Sequence, residues 1–262
     1  GDHIYKMDYE QMLEQHVASG AGVTVAGLRV PIEQAGEFGV IIPGQDSHRI
    51  AAFREKPTQD VVGLPDDPER VFASMGNYIF TAEALIEAIT TDAKDETSRH
   101  DIGGDIIPMM VGRGDADVYD FTYNDVPGQI DSDRGYWRDV GTIDAYYEAN
   151  MELVSVSPIF NLYNLEWPIL TQHEPLPPAK FVFDEDDGRR GGAYDSMVCA
   201  GVVVTGGTVR RSILSPGVRV EAGLDLGGGP GVREEELDGL EAGLGGKGEA
   251  IEKRHFGEEH RQ

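Results

Sequence analysis

Two aspartates, Asp2 and Asp139, and the pair Glu55-Lys56 are the residues of this chain best suited to chemistry on phosphates. Asp2 opens Gly1-Asp2-His3-Ile4-Tyr5-Lys6-Met7-Asp8-Tyr9, and Asp139 stands in Gly135-Tyr136-Trp137-Arg138-Asp139-Val140-Gly141-Thr142. Between them, Phe53-Arg54-Glu55-Lys56-Pro57 sets a carboxylate beside an ammonium ahead of a proline. Carboxylates that converge can hold a hard divalent cation, and a lysine nearby can hold a phosphate. Those parts suit phosphoryl or nucleotidyl transfer.

Each part also has a plainer reading. Asp2 fits a turn aspartate at the end of a strand, and Glu55-Lys56 fits a surface ion pair. Asp139 fits a charge at the start of the helix that Thr142 opens, where it is favourable by about 0.3–1 kcal/mol. A residue before proline is biased to extended backbone, which predicts that Glu55 and Lys56 point to opposite faces. For both to reach one ligand, the strand must bend. His100-Asp101-Ile102-Gly103-Gly104-Asp105 is a polar turn that can line a sugar pocket or begin a helix. No Cys/His spacing fits zinc, and no Ser/His/Asp triad or GxGxxG stands out.

Composition narrows the partners. With 22 Lys+Arg against 47 Asp+Glu, the 262-residue chain carries a net charge of −25, so nucleic acid and anionic membrane are not expected partners. A phosphorylated substrate then needs locally placed cations. No apolar run approaches the roughly 18 residues of a membrane span, and no leader stands at the start, so a soluble, cytoplasmic protein is expected. The single Cys199 permits no internal disulfide.

The elements that must position these residues alternate between strand and helix, which predicts an α/β domain around one sheet. Asp8 to Ser19 reads as a helix with Met12, Leu13, His16 and Val17 on one face and Gly20 as its stop. Strands are expected at Val23–Val30 and Ser74–Phe80, a hairpin at Phe38–Ile41 with Ile50–Phe53, and helices from Ala82 and from Thr142 to Leu153. Thr58 to Glu69 reads as a loop. Residues 1–155 form the expected catalytic part and 156–198 a proline-bearing connector. Val202, Thr208, Leu214 and Val220 recur every six residues, as in a hexapeptide β-solenoid assigned to 199–223. Beyond it, 221–262 holds 11 glycines among many carboxylates, and 224–262 reads as a disordered tail.

Taken together, Gly1–Tyr9, Phe53–Pro57, Ser74–Phe80, Ser98–Pro108, Gly135–Asn150 and Leu176–Phe181 resemble the bacterial glucose-1-phosphate adenylyltransferases, or ADP-glucose pyrophosphorylases. The resemblance covers about residues 1–223. It implies a Rossmann-like nucleotidyltransferase domain, here incomplete, followed by a short left-handed parallel β-helix. It implies transfer of AMP from ATP to glucose 1-phosphate, giving ADP-glucose and pyrophosphate for glycogen synthesis. Mg2+ is then held by Asp2 and Asp139, and Lys56 grips the sugar phosphate. Glu55 and Ser74 contact glucose, Gly39 lies beside the sugar, and Asp101 and Trp137 line the pocket. Homotetramers and allosteric control are family expectations. The family's glycine-rich ATP loop lies upstream of Gly1, so the chain reads as a fragment expected to turn over negligibly alone. Two alternatives remain: a non-catalytic regulatory subunit or sugar-phosphate binding module, and a UDP- or dTDP-glucose-forming relative.

Overall fold

Glycine, proline and capping side chains cut the chain into short elements, and the computed structural model describes residues 3–44, 48–186 and 188–227. The chain divides into two units, Gly1–Ala145 with Ile159–Ile169 and Tyr146–Pro158 with Leu170–Gln262.

In the first unit, strands β1 (His3–Tyr5), β2 (Val23–Pro31), β3 (Gly39–Pro43), β4 (Ile50–Glu55), β5 (Arg70–Phe80), β6 (Ala116–Asp120) and β7 (Trp137–Asp139) alternate with helices. The helices are α1 (Tyr9–Ser19), α2 (Ala82–Asp92), α3 (Ile107–Gly112) and the start of α4 (Ile143–Leu153). Five strands form a sheet in the order β4-β3-β5-β2-β6, and β1 pairs with β7 apart from it. Only β2 and β6 run parallel; the other neighbours are antiparallel. Strand β2 is central, and Val23, Thr24, Val25 and Ala26 are all fully buried because both faces of the sheet are covered. On one face Val23, Val25, Phe72 and Val118 pack with Ala88 of α2 and Ile107 and Met110 of α3. On the other, Met12 of α1 packs with Ala26, Met75, Tyr119 and Phe121.

Helix α1 starts where Asp8 accepts the Glu10 N–H at 3.0 Å and ends at Gly20, whose φ of 62° returns its N–H to His16 O. Its buried stripe is narrower than expected: Met12 and His16 face the sheet, while Leu13 and Val17 are 48% and 72% exposed. Thr142 caps α4 as the sequence suggests, accepting the Ala145 N–H at 3.1 Å.

His16 is a buried titratable group of this layer, 6% exposed, with Nδ1 2.8 Å from Thr24 Oγ1 and Nε2 3.2 Å from Thr81 Oγ1. Burial pushes its pKa below the ordinary histidine value, against the charges of Asp117 and Asp115, which push it up. The folded state therefore favours neutral imidazole. Its stabilisation is complete above the unfolded pKa near 6.5 and is lost as pH falls from there through the folded value. His16→Gln, which does not titrate, should show a flatter dependence of melting temperature on pH between about 7 and 5. Parallel slopes for the two proteins would refute this assignment.

The second unit is built from short parallel strands. They are β8 (Lys180–Val182), β9 (Gly192–Tyr194), β10 (Met197–Val198), β11 (Val203–Thr205), β12 (Thr208–Arg210), β13 (Ile213–Leu214), β14 (Arg219–Val220) and β15 (Asp225–Gly227). They stack into three sheets, β8-β11-β14, β9-β12-β15 and β10-β13, the three sides of a parallel β-helix. Val203 pairs with Arg219 and Met197 with Ile213, each sixteen residues on. Val203 pairs back to Lys180, twenty-three residues earlier, and the surplus forms a loop around the Asp184–Arg190 bridge. Val202, Val204, Val209, Leu214 and Val220 fill the interior. Thr208 is only half-buried, so Val209 replaces it in the core, contrary to the strict six-residue period.

The strands also exceed the expected span. They begin at Lys180, inside the segment read as connector, because the loop between β8 and β9 hides the repeat. They continue to Gly227, four residues beyond the expected end. Of the tail expected over 224–262, the first residues instead carry β15, and 228–262 lie outside the described residues.

Candidate active site

A cleft of about 290 Å³ opens in the first unit, lined by the β1–β7 ribbon, the Gly39–Glu55 end of the β3–β4 hairpin and one face of β5. Seven of the eight residues singled out from the sequence line it: Gly39, Glu55, Lys56, Ser74, Asp101, Trp137 and Asp139. The eighth, Asp2, lies outside the described residues. Its chain neighbour His3 is the pairing partner of Asp139 across β1 and β7.

The β3–β4 hairpin supplies the first group. Its last pair is Gly39 with Glu55. A β-carbon on Gly39 would stand 2.5 Å from Phe53 Cζ and 2.9 Å from Glu55 Oε2, so glycine leaves room for the carboxylate to lie over the strand. Lys56 then departs from the expected extended backbone. It adopts φ 44°, and its N–H bonds to Phe38 O at 3.0 Å. This bond folds the chain back just before Pro57, outweighing the bias that proline exerts on its predecessor. The left-handed residue is the bend that the side-by-side carboxylate and ammonium required, and both side chains line the cleft. Such backbone in a residue with a β-carbon costs on the order of 1–3 kcal/mol and clusters at functional sites.

Strand β5 supplies the second group. Side chains two apart share a face, so Ser74, Gly76 and Tyr78 all meet the cleft. Burial, above all, pushes the Tyr78 phenol up; a hydrogen bond with Ser74 pulls it down, and the charges of Asp101 and Glu55 add to the rise. Tyr78 is therefore a neutral hydroxyl at physiological pH, able to donate. Asp101 both lines the cleft and opens a helical turn. Its carboxylate accepts the Gly104 N–H at the start of the π-helical turn Ile102–Ile106.

The β1–β7 ribbon supplies the third. His3 and Asp139 face each other, with Nε2 3.8 Å from Oδ1. The His3 ring packs 4.9 Å from Trp137, and Phe38 meets Trp137 edge-on at 5.7 Å. Asp139 Oδ1 also accepts the Gly141 N–H at 3.2 Å, so the carboxylate is oriented while its side chain stays 51% exposed. The Trp137 indole Nε1 is buried without an acceptor among the described residues. A donor left unpaired beside a cleft fits a ligand bearing oxygens.

The charges of the site are unequal. Glu37, Glu55, Asp101 and Asp139 line the cleft, and Lys56 is the single Lys or Arg among the described lining residues. The described residues contain no group of three or more His, Cys, Asp or Glu arranged to hold a metal. One oriented, half-exposed carboxylate nevertheless suits magnesium, which keeps several waters and needs only one or two carboxylates beside substrate phosphates. Sequence reasoning missed His3, Glu37, Phe38, Phe53, Gly76, Tyr78 and Gly103. The alternation of β5 was a usable signal for Gly76 and Tyr78; for the others no local pattern marked them.

Comparisons with known proteins identify the family. Residues 1–156 match the nucleotidyl transferase family, and residues 177–227 match the GlmU-like C-terminal hexapeptide family. The chain is 56% identical over 222 residues to a glucose-1-phosphate adenylyltransferase of Parafrankia sp. (strain EAN1pec), covering 84% of this chain and 53% of that protein. It is 58% identical over 221 residues to the enzyme of that name from Frankia casuarinae, covering 84% and 53%. Against that of Corynebacterium jeikeium it is 56% identical over 236 residues, covering 88% and 56%. The chain thus spans about half the length of the curated relatives it matches. It belongs to the nucleotidyl transferase family, its α/β domain followed by the left-handed parallel β-helix of hexapeptide proteins.

Proposed function

We propose that the cleft is the sugar-phosphate half of a glucose-1-phosphate adenylyltransferase site. In the whole protein, AMP passes from ATP to glucose 1-phosphate, giving ADP-glucose and pyrophosphate. The observation that carries this reading is the convergence of Glu55, Lys56, Ser74, Asp101, Trp137 and Asp139 on one small cleft, with Lys56 the single ammonium among the described lining residues. A sugar presents hydroxyls to acceptors and donors, and its phosphate seeks a cation. Glu55 and Asp101 offer the acceptors, Ser74 and Tyr78 hydroxyls of either sense, and Lys56 the cation.

In the reaction, a phosphate oxygen of glucose 1-phosphate attacks the α-phosphorus of ATP in line, and the bond to pyrophosphate breaks. No covalent intermediate on the protein is needed, so the residues act by positioning and by charge. Lys56 holds the attacking phosphate and offsets part of its charge. Trp137 and Phe38 close one wall with apolar surface, which limits water at the reacting end. Asp139, together with Asp2, would hold Mg2+, which supplies neutralisation of phosphate charge when bound. Assembly as a homotetramer and a cytoplasmic location belong to the same reading. No helix among the described residues is long and apolar enough to cross a membrane.

Calorimetry of the chain with glucose 1-phosphate, at zero and millimolar Mg2+, tests the proposal. Binding should be detectable, should tighten with Mg2+, and should exceed binding of unphosphorylated glucose. Asp139→Asn should lose most of the Mg2+-dependent tightening, roughly tenfold for one lost carboxylate ligand. Equal affinity for glucose and its 1-phosphate would defeat the assignment.

A further inference from the structure

Asp101 and Gly103 reach the cleft from the segment that follows α2, and this segment is tied down at a point outside the cleft. Asp92, the last residue of α2, is 9% exposed. Its carboxylate accepts the Ser98 hydroxyl at 2.5 Å and pairs with His100 Nδ1 at 2.7 Å. Ser98 Oγ in turn accepts the His100 N–H at 3.0 Å. The Ser98 bond first, and then the His100 bond, hold the Asp92 carboxyl below its usual range. Serine, histidine and aspartate here do not form a nucleophilic relay, because Ser98 gives its proton to Asp92 and not to the imidazole.

What the cluster does secure is a backbone turn. His100 sits at φ 60°, a left-handed conformation that a residue with a β-carbon keeps only when its surroundings over-determine it. The very next residue is Asp101. From there the chain enters the π-helical turn, with Asp105 N–H and Ile106 N–H bonding back to Asp101 O at 2.9 and 3.2 Å. Asp101 N–H bonds to Asp105 Oδ2 at 3.1 Å, which closes the turn from the other side. Gly103, at the crest, lies under the Tyr78 hydroxyl: a β-carbon there would be 3.4 Å from it. A continuous path therefore runs from α2 through Asp92 and His100 to the residues that line the cleft.

We propose that His100 is a positioning residue for the sugar-phosphate cleft, its bond to Asp92 fixing the left-handed turn that delivers Asp101 and Gly103. The proposal rests on the sugar-phosphate reading given above. His100 is largely exposed, with its side chain 58% accessible, so its contribution is the directed bond and not burial. Both the neutral Nδ1–H tautomer and the imidazolium can make that bond.

The test uses the whole chain and the variants His100→Ala, His100→Asn and Ser98→Ala. Asparagine places an amide N–H near the Nδ1 position and tolerates left-handed backbone, so it separates the bond from general damage. Two quantities are read: affinity for glucose 1-phosphate by calorimetry, and amide hydrogen exchange at Gly104, Asp105 and Ile106 without ligand. His100→Ala should weaken binding roughly tenfold, the scale of one charge-assisted hydrogen bond, and should speed exchange at those amides. His100→Asn should restore both to within about threefold, and Ser98→Ala, which leaves the His100–Asp92 bond in place, should fall between. Unchanged exchange in His100→Ala, or an asparagine variant no better than alanine, overturns the proposal. If the unmodified chain binds no glucose 1-phosphate, the sugar-phosphate reading fails by itself, and the exchange data still decide whether His100 holds the turn. If His100→Ala does not fold, His100→Gly, which accepts the left-handed backbone but lacks the bond, takes its place with the same expected and overturning results.

Discussion

Lys56→Ala should lower the affinity of the chain for glucose 1-phosphate about a hundredfold while leaving its melting temperature nearly unchanged. Lys56 is exposed and packs against no core cluster, so little folding energy depends on it. Its role in the cleft is different. Four carboxylates line the same space, and Lys56 is the single ammonium or guanidinium among the described lining residues. Without it, a phosphate ester meets a surface of its own sign. Removing one preorganised charged contact costs on the order of 3 kcal/mol, which is the hundredfold quoted. The loss should shrink in high salt, because an exposed pair is screened within a Debye length of about 8 Å at physiological ionic strength. Lys56→Arg should recover part of the affinity, since the charge is kept but the compact head is replaced by a planar fork. Titration calorimetry at two salt concentrations reads all three expectations. An alanine variant that binds within threefold of the unmodified chain would remove Lys56 from the phosphate site.

Gly191→Ala should destabilise the β-helical unit by about 3 kcal/mol, the upper part of the range for overpacking. An added β-carbon would lie 2.5 Å from Val182 O and 2.8 Å from Val204 O, both backbone atoms of stacked coils. Neither can swing aside as a side chain would. Moving them breaks the pairing of Thr205 with Val182 that joins β11 to β8. The informative control is Gly217→Ala. Gly217 has φ 77°, yet nothing lies within 4 Å of its missing β-carbon, so alanine there incurs only the left-handed penalty of roughly 1 kcal/mol. Urea unfolding of both variants should show the larger loss at Gly191. Equal losses would mean that the coils give way and that the clash carries no weight.

Local chemistry made much of this molecule readable in advance. Asp8, Gly20 and Thr142 mark helix ends because capping is decided by one side chain and its nearest amides. The β3–β4 hairpin and β5 follow from β-branched and aromatic runs between polar loops. The lining residues were reachable because they sit in short distinctive strings, Glu55-Lys56-Pro57 and Trp137-Arg138-Asp139, that resemble a known family. Other features depend on distant partners. Leu13 and Val17 have helical spacing, but the width of sheet under α1 decides that only Met12 and His16 are covered. Strands β8 to β10 are two or three residues long, and the loop around the Asp184–Arg190 bridge breaks their period, so composition gave them no contrast with a connector. The backbone of Lys56 was misjudged because the rule for residues before proline is local, whereas its hydrogen bond is to Phe38, eighteen residues earlier and just ahead of β3. Tyr78 was missed although the alternation of β5 already placed it on the face of Ser74.

The left-handed turn at Lys56 also limits how this protein can be improved. Glycine at that position would relieve the backbone and gain about 1 kcal/mol of stability, the usual reward for removing a β-carbon from such a conformation. The same change deletes the ammonium. Selection for heat resistance alone would thus drift toward a sturdier chain with an empty-handed cleft, and any thermostabilised descendant that keeps lysine there has been held to it by its ligand.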